Sequence, residues 1–139
     1  MTKKAENTFI GSVNKHLPEG VYYMKNNNPY LGGVPDVWYS ADLRDMWVEY
    51  KFLVIPKRPT TVVDLCAGKD PMLSVLQQEW LTGRYAEGRR VAVCVGCKEG
   101  GVWLDGLSWS TPMTTQEFRD RLASRKELAE IITREVAGL

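Results

Sequence analysis

The chain has 139 residues, 44% of them hydrophobic and 25% charged, with a formal net charge of +1. That is enough sequence for one domain with a real core and ordinary for a globular protein. The charge balance excludes a uniformly basic nucleic-acid binder, so any such face must come from local clustering of Lys and Arg. No apolar run approaches the ~20 residues of a membrane span, so no membrane association is expected. Met1–Glu6 lacks a signal peptide's apolar core, and three cysteines without an export signal point to a reducing, cytoplasmic location, the host cytoplasm if the chain is phage-encoded.

In chain order, Phe9, Ile10, Val13 and Leu17 recur at helical spacing, and Pro18 and Gly20 end that helix. His16 is read as a helix-end residue. Val21–Lys25 is a short strand, and Asn26 to Gly33 is a loop of turn-forming residues whose Gly32-Gly33 would let backbone pass close to a metal or a phosphate. Val34–Tyr39 and Met46–Phe52 are rich in Val, Trp and Tyr and flank a polar link, which predicts a β-hairpin. If Ser40 pairs with Asp45, Asp36 lies opposite Glu49 and Trp38 opposite Trp47. Opposed Cβ atoms stand ~4.5–5.5 Å apart, so the two carboxylates repel unless a cation sits between them. A divalent metal satisfies that requirement, with Lys51 beside it.

Pro56 and Pro59 end the second hairpin strand. A long aperiodic stretch follows, with a short strand at Thr61–Val63, and its Lys57, Arg58 and Lys69 are candidate phosphate contacts. Leu73, Leu76, Trp80 and Leu81 mark a second helix to Glu87, stopped by Gly88. Arg89–Gly96 is a buried strand pairing with Gly101–Leu104. Cys94 and Cys97 have the spacing of a zinc or dithiol pair, but only Cys66 and His16 remain as further ligands, and a redox pair normally opens a helix. They sit at the end of a strand and in its turn, and are read as a buried small hydrophobe and a turn residue. Capping-box patterns at Thr114–Glu117 and Ser124–Glu127 start two terminal helices within about 114–137, with an apolar stripe of Leu128, Ile131, Ile132 and Val136. That stripe packs on the domain or on a second copy, which makes a homodimer an expectation.

Pro35-Asp36, twelve residues, then Glu49-Tyr50-Lys51 resembles the PD-(D/E)XK nuclease signature, and both halves fall in apolar strands where charges are costly. The resemblance covers about residues 6–104. It implies one α/β domain with a restriction-endonuclease-like core, a mixed β-sheet flanked by helices in the order αβββαβ, followed here by a C-terminal helical extension. It further implies a metal-dependent DNA endonuclease with Asp36, Glu49 and Lys51 as catalytic residues. Mg²⁺, with Mn²⁺ as a substitute, would be held by Asp36, Glu49, the Tyr50 carbonyl and Glu6. Glu6 is the position matching a first-helix glutamate of some relatives, and it equally suits the positive end of its own helix. Leu-Ser-x-Leu-Gln followed by Trp-Leu, Gly and a Val-rich strand is most similar to the small phage and resolvase-like, VRR-NUC-type branch, where a helix glutamine approaches the cleaved strand. That nominates Gln77 or Gln78, with Arg84, Arg89, Arg90 and the loop cations along the DNA backbone. The QxxxY pattern of exonuclease relatives is absent, because Leu81 and Thr82 stand four residues after Gln77 and Gln78. The expected substrate is duplex or branched DNA read without sequence preference. A non-catalytic nucleic-acid-binding or host-interaction protein on the same fold is the alternative.

Overall fold

The computed structural model describes residues 2–26 and 32–138, so the turn expected at 27–31 lies outside the described residues. The chain runs α1 (Thr2–Asn14), β1 (Tyr22–Lys25), β2 (Val37–Ser40), β3 (Asp45–Phe52), β4 (Val62–Val63), α2 (Val75–Ala86), β5 (Val91–Cys97), β6 (Gly100–Asp105), a 3-10 turn at Ser108–Ser110, β7 (Met113–Thr114), α3 (Thr115–Asp120) and α4 (Arg125–Ala137). Five strands form one sheet in the order β1-β2-β3-β5-β6, with β3 and β5 parallel and the other neighbours antiparallel. The domain is therefore mixed α/β with helices on both faces, the architecture expected of the αβββαβ core.

Parallel neighbours need a crossover, and α2 supplies it between β3 and β5. Its start is encoded by a capping box that the hydrophobic pattern did not reveal. Ser74 Oγ accepts from the Gln77 N–H, and Gln77 Oε1 accepts from the Ser74 N–H. Strand β5 is covered on both faces, which is why all seven of its residues are buried and its sequence reads as a continuous apolar run.

Alternation splits the core in two. Tyr39, Val48, Tyr50 and Cys94 pack with Phe9, Ile10, Val13, Leu128, Ile132 and Val136, under α1 and α4. Val91, Val93, Val95 and Cys97 pack on the opposite face with Leu81, Trp109 and Phe118. Five strands spaced ~4.8 Å span about 19 Å, roughly the width of two packed helices of about 10 Å each. Hence α4 is a required layer rather than an appendage, and the stripe expected to offer a dimer surface is consumed inside the domain. Leu128, Ile132 and Val136 have no exposed surface.

Three further expectations change. Leu76 is 57% exposed and does not join the α2 apolar face. Residues 56–74 are not a free arm, because β4 pairs with β7, Thr115 Oγ1 donates to the Thr61 carbonyl at 2.7 Å, and Leu65 is buried. Cys97 is not in a turn. It is the last strand residue, paired with Gly100, and lies on the opposite face from Cys94, so the two thiols cannot converge on one ion.

Candidate active site

The hairpin register is the expected one. Ser40 pairs with Asp45 and Trp38 with Trp47, and the ladder closes at Val37 and Val48. Asp36 stands one residue ahead of β2 and reaches across to β3, where its Oδ2 accepts the Tyr50 N–H at 2.8 Å. Proline at 35 has no N–H to offer β3, and the Asp36 carboxylate takes the place that a strand neighbour would fill. N–H and C=O of one strand residue point the same way, so the Tyr50 carbonyl also faces Asp36, beyond the end of the β2 ladder. The Tyr50 ring goes the other way, into the α1–α4 core, where its hydroxyl meets that of Tyr39 at 2.6 Å.

Glu49 is only 2% exposed. Its Oε2 accepts from Gln77 Nε2 at 3.0 Å and lies 3.3 Å from Lys51 Nζ. Its Oε1 is buried with no hydrogen-bond partner. Burial, followed by the nearby Asp36 charge, pushes the Glu49 carboxyl well above the usual carboxylate range against the pull of Lys51. Burial also raises Glu6, again with Asp36 adding to it and Lys51 opposing. Helix α1 thus places Glu6, which lies beyond its first turn, in the field of the same cluster, although no set of three carboxylates close enough to share one ion forms among the described residues.

Of the two candidate glutamines, only Gln77 belongs to the site. Gln78 turns back to the carbonyl of Leu73. The approach of α2 depends on Gly33, which adopts φ +83° and would bring a Cβ within 2.5 Å of the Leu76 carbonyl oxygen. The glycine pair therefore serves close packing, as expected, but against the first turn of α2 rather than against a metal or phosphate. Arg84, two turns further along α2, lies 5.9 Å over Trp80 and pairs with Glu87 at 3.1 Å. Lys57, Arg58 and Lys69 are exposed, and no ion pair joins them to the carboxylates among the described residues.

No family model and no curated protein matches this chain. A solved structure does, that of Hjc, a Holliday junction resolvase from the archaeal hyperthermophile Archaeoglobus fulgidus, with 14% identity over 93% of this chain and 98% of that one, at a TM-score of 0.53. The two share a fold. At that identity the likeness establishes architecture alone, and the chemistry has to be argued from the residues.

Those residues fit a hard divalent cation. Asp36, Glu49 and the Tyr50 carbonyl offer only oxygen, which Mg²⁺ prefers. The unpartnered Glu49 Oε1 is the decisive detail, since a buried carboxylate oxygen without a donor is costly unless something cationic approaches it. Sequence reasoning identified this cluster but not the aromatic groove beside it. Trp38, Trp47 and Tyr85, with Arg44, Arg89 and Arg90, line a cleft of about 1260 Å³. The Trp38–Trp47 register was the available signal.

Proposed function

We propose that this protein is a metal-dependent DNA endonuclease that hydrolyses phosphodiester bonds in branched or duplex DNA, with Asp36, Glu49 and Lys51 as its catalytic residues. One observation carries the reading: a buried Glu49 beside the half-buried Asp36 and Lys51, with a Glu49 oxygen that has no hydrogen-bond donor. Opposed carboxylates, one of them buried, repel each other and destabilise an empty site. They are intelligible as a cation cradle.

Asp36, Glu49 and the Tyr50 carbonyl would hold Mg²⁺ or Mn²⁺, with Glu6 joining by a rotamer change. Such an ion supplies positive charge against the phosphate and makes a water easier to deprotonate. Gln77 fixes Glu49 through Oε2 and so directs Oε1 into the site. The Lys51 ammonium, held at 3.3 Å by Glu49, is placed to orient the attacking water or to balance charge on the phosphate oxygens. The N-terminus of α2 adds its partial positive charge on the same side. Arg84, Lys57, Arg58 and Lys69 would contact the DNA backbone, and binding through phosphates should then weaken steeply with salt.

The fold shared with a junction resolvase supports branched DNA as a substrate. Placement in the phage-type, VRR-NUC-like branch rests on the wording of the α2 sequence. Paired cuts require two copies of a domain with one site, so the reading includes a homodimer, formed by surfaces other than the buried α4 stripe and testable by light scattering. The deciding experiment incubates the protein with Mg²⁺ and end-labelled linear, nicked and four-way-junction DNA, alongside Glu49→Gln. Cleavage by wild type and none by the variant supports the reading. Tight DNA binding without cleavage at any metal concentration would favour the non-catalytic alternative.

A further inference from the structure

The face of the sheet that carries the carboxylates is covered unevenly. Helix α2 and the Trp109–Phe118 region cover β5 and β6, while among the described residues no helix lies over the β1–β2 side of the same face. By register, Met24 and Tyr22 share that face with Trp38 and Ser40, and they are 57% and 72% exposed. Trp47 is held edge-on by Trp80, with ring centroids 5.4 Å apart, and Trp38 stands directly opposite Trp47. The Trp47 ring is thereby fixed, and Trp38, half-exposed like it, stands opposite at the edge of the cleft.

The charges of the cleft decide what it suits. Arg44 and Arg90 both lean on Glu135, at 3.5 and 3.6 Å, and Arg89 is exposed with no ion pair among the described residues. Asp45 and Asp105 line the same space. Three guanidinia against two carboxylates leave a formal lining charge of only +1. That is too little for a track along several phosphates, whose affinity comes from net cations. Flat aromatic rings, planar guanidinia and mixed donors and acceptors instead match nucleobases, which stack on one face and present amino and carbonyl groups at the edge. The cleft also exceeds the roughly 300–1,000 Å³ of an ordinary small-molecule site, so it has room for a piece of strand.

Position connects it to the chemistry. Trp47 precedes Glu49 by two residues, about 7 Å along β3, which is one nucleotide step in an extended strand. We propose that the Trp38–Trp47 cleft takes unpaired nucleotides of the strand being cut, stacking a base on the Trp38–Trp47 platform next to the scissile phosphate. This deepens the endonuclease reading and rests on it for the word "cut". It assigns the substrate as DNA with a single-stranded tail or an unpaired branch point rather than continuous duplex.

Binding without divalent cation tests the cleft apart from the chemistry. Fluorescein-labelled dT12, a blunt duplex, and the same duplex with a dT tail are titrated in EDTA by anisotropy. Wild type should prefer the tailed duplex and dT12 over the blunt duplex. Trp38→Ala should lose about 5- to 100-fold on the unpaired probes, the worth of one stacked base, with Trp38→Phe recovering most of it. Arg89→Ala, at an exposed position that no packing depends on, should reduce the same preference without the risk of misfolding. Equal affinity of wild type for blunt and tailed duplex, or Trp38→Ala and Arg89→Ala proteins that keep the wild-type preference, would overturn the proposal. Cleavage is scored separately with Mg²⁺. A protein that cuts blunt duplex with no dependence on Trp38 keeps its nuclease reading and loses the cleft, whereas Trp38-dependent binding without any cleavage does the reverse.

Discussion

Replacing Glu49 with glutamine should stabilise the protein while removing its proposed activity. The glutamine keeps the shape and can still accept from Gln77, whose Nε2 lies 3.0 Å from Oε2. What it removes is a carboxyl that is 2% exposed, with one oxygen unpartnered and Asp36 close by, and whose charged form burial disfavours. It also removes the ion pair to Lys51. Lys51 remains compensated, because it lies in the field of Glu6. The raised Glu49 carboxyl shows that burial and Asp36 outweigh Lys51. An unsatisfied buried group costs about 1–3 kcal/mol, and more when charged. At about 2.1 cal/mol/K per residue, a chain of this length shifts its Tm by about 3–4 °C per kcal/mol, so the variant should melt about 3–10 °C higher at pH 7.5. The pH dependence fixes the cause. A folded-state value above the unfolded one, about 4.3, means the Glu49 contribution is fully present below that pH and lost as pH rises through the folded value. The advantage of Glu49→Gln should therefore be small at pH 4 and grow toward neutrality. Calorimetry of both proteins from pH 4 to 8 measures it. A variant that melts lower than wild type at pH 7.5, or a constant difference across the range, would refute the strained-carboxylate account.

Other expectations concern the scaffold around the site. Tyr39 O–H donates to Asn14 Oδ1 at 2.7 Å, which leaves Tyr50 to donate to Tyr39. Tyr39→Phe orphans two buried groups and Tyr50→Phe orphans none that lacks another partner, so urea titration should show Tyr39→Phe to be the worse by about 1–3 kcal/mol. Gly33→Ala combines a positive φ with a Cβ driven into the Leu76 carbonyl. It should push the 32–36 loop off α2, lowering stability by about 1–2 kcal/mol or more and cleavage with it; a fully active and equally stable variant would contradict that packing. Cys94→Ser with Cys97→Ser should preserve fold and cleavage at some loss of stability from the buried hydroxyl, and stoichiometric zinc lost with the double variant would show that the thiols have a role the strand geometry denies them.

The sequence made the hairpin legible through its two β-rich runs and their polar link, and once Ser40 was taken to pair with Asp45, alternation dictated which charges met. The same alternation carried the β5 reading, since a strand covered on both faces leaves an unbroken apolar run. Helix α2 was found from its period, but Leu76 was misplaced on it, because the helix begins at Val75 and its sheet-facing side is set by Gln77, Trp80 and Leu81. The capping box that starts it, Ser74 with Gln77, uses the same glutamine that holds Glu49. One residue thus has a local role and a long-range one, and no pattern of apolar spacing reveals the second. The β4–β7 ladder was invisible for a related reason: two-residue strands have no period.

The largest misjudgement concerned α4, and its cause reaches into the functional reading. Chain order made the terminal helices look additional to a completed core, and their stripe looked available to a partner. Sheet width is what assigns it: a five-stranded face must be closed by two helices, and α1 is only one of them. The opposite face has α2 but no second full helix, since α3 spans six residues and packs with Met113 and Trp109. The unclosed part of that face lies over β1 and β2, where Trp38 and Met24 remain partly or largely exposed. A sheet left open at that position, directly beside a buried Glu49 with an unsatisfied oxygen, is what the proposed passage of a nucleic-acid strand would require, because packing alone would have favoured burying both tryptophans.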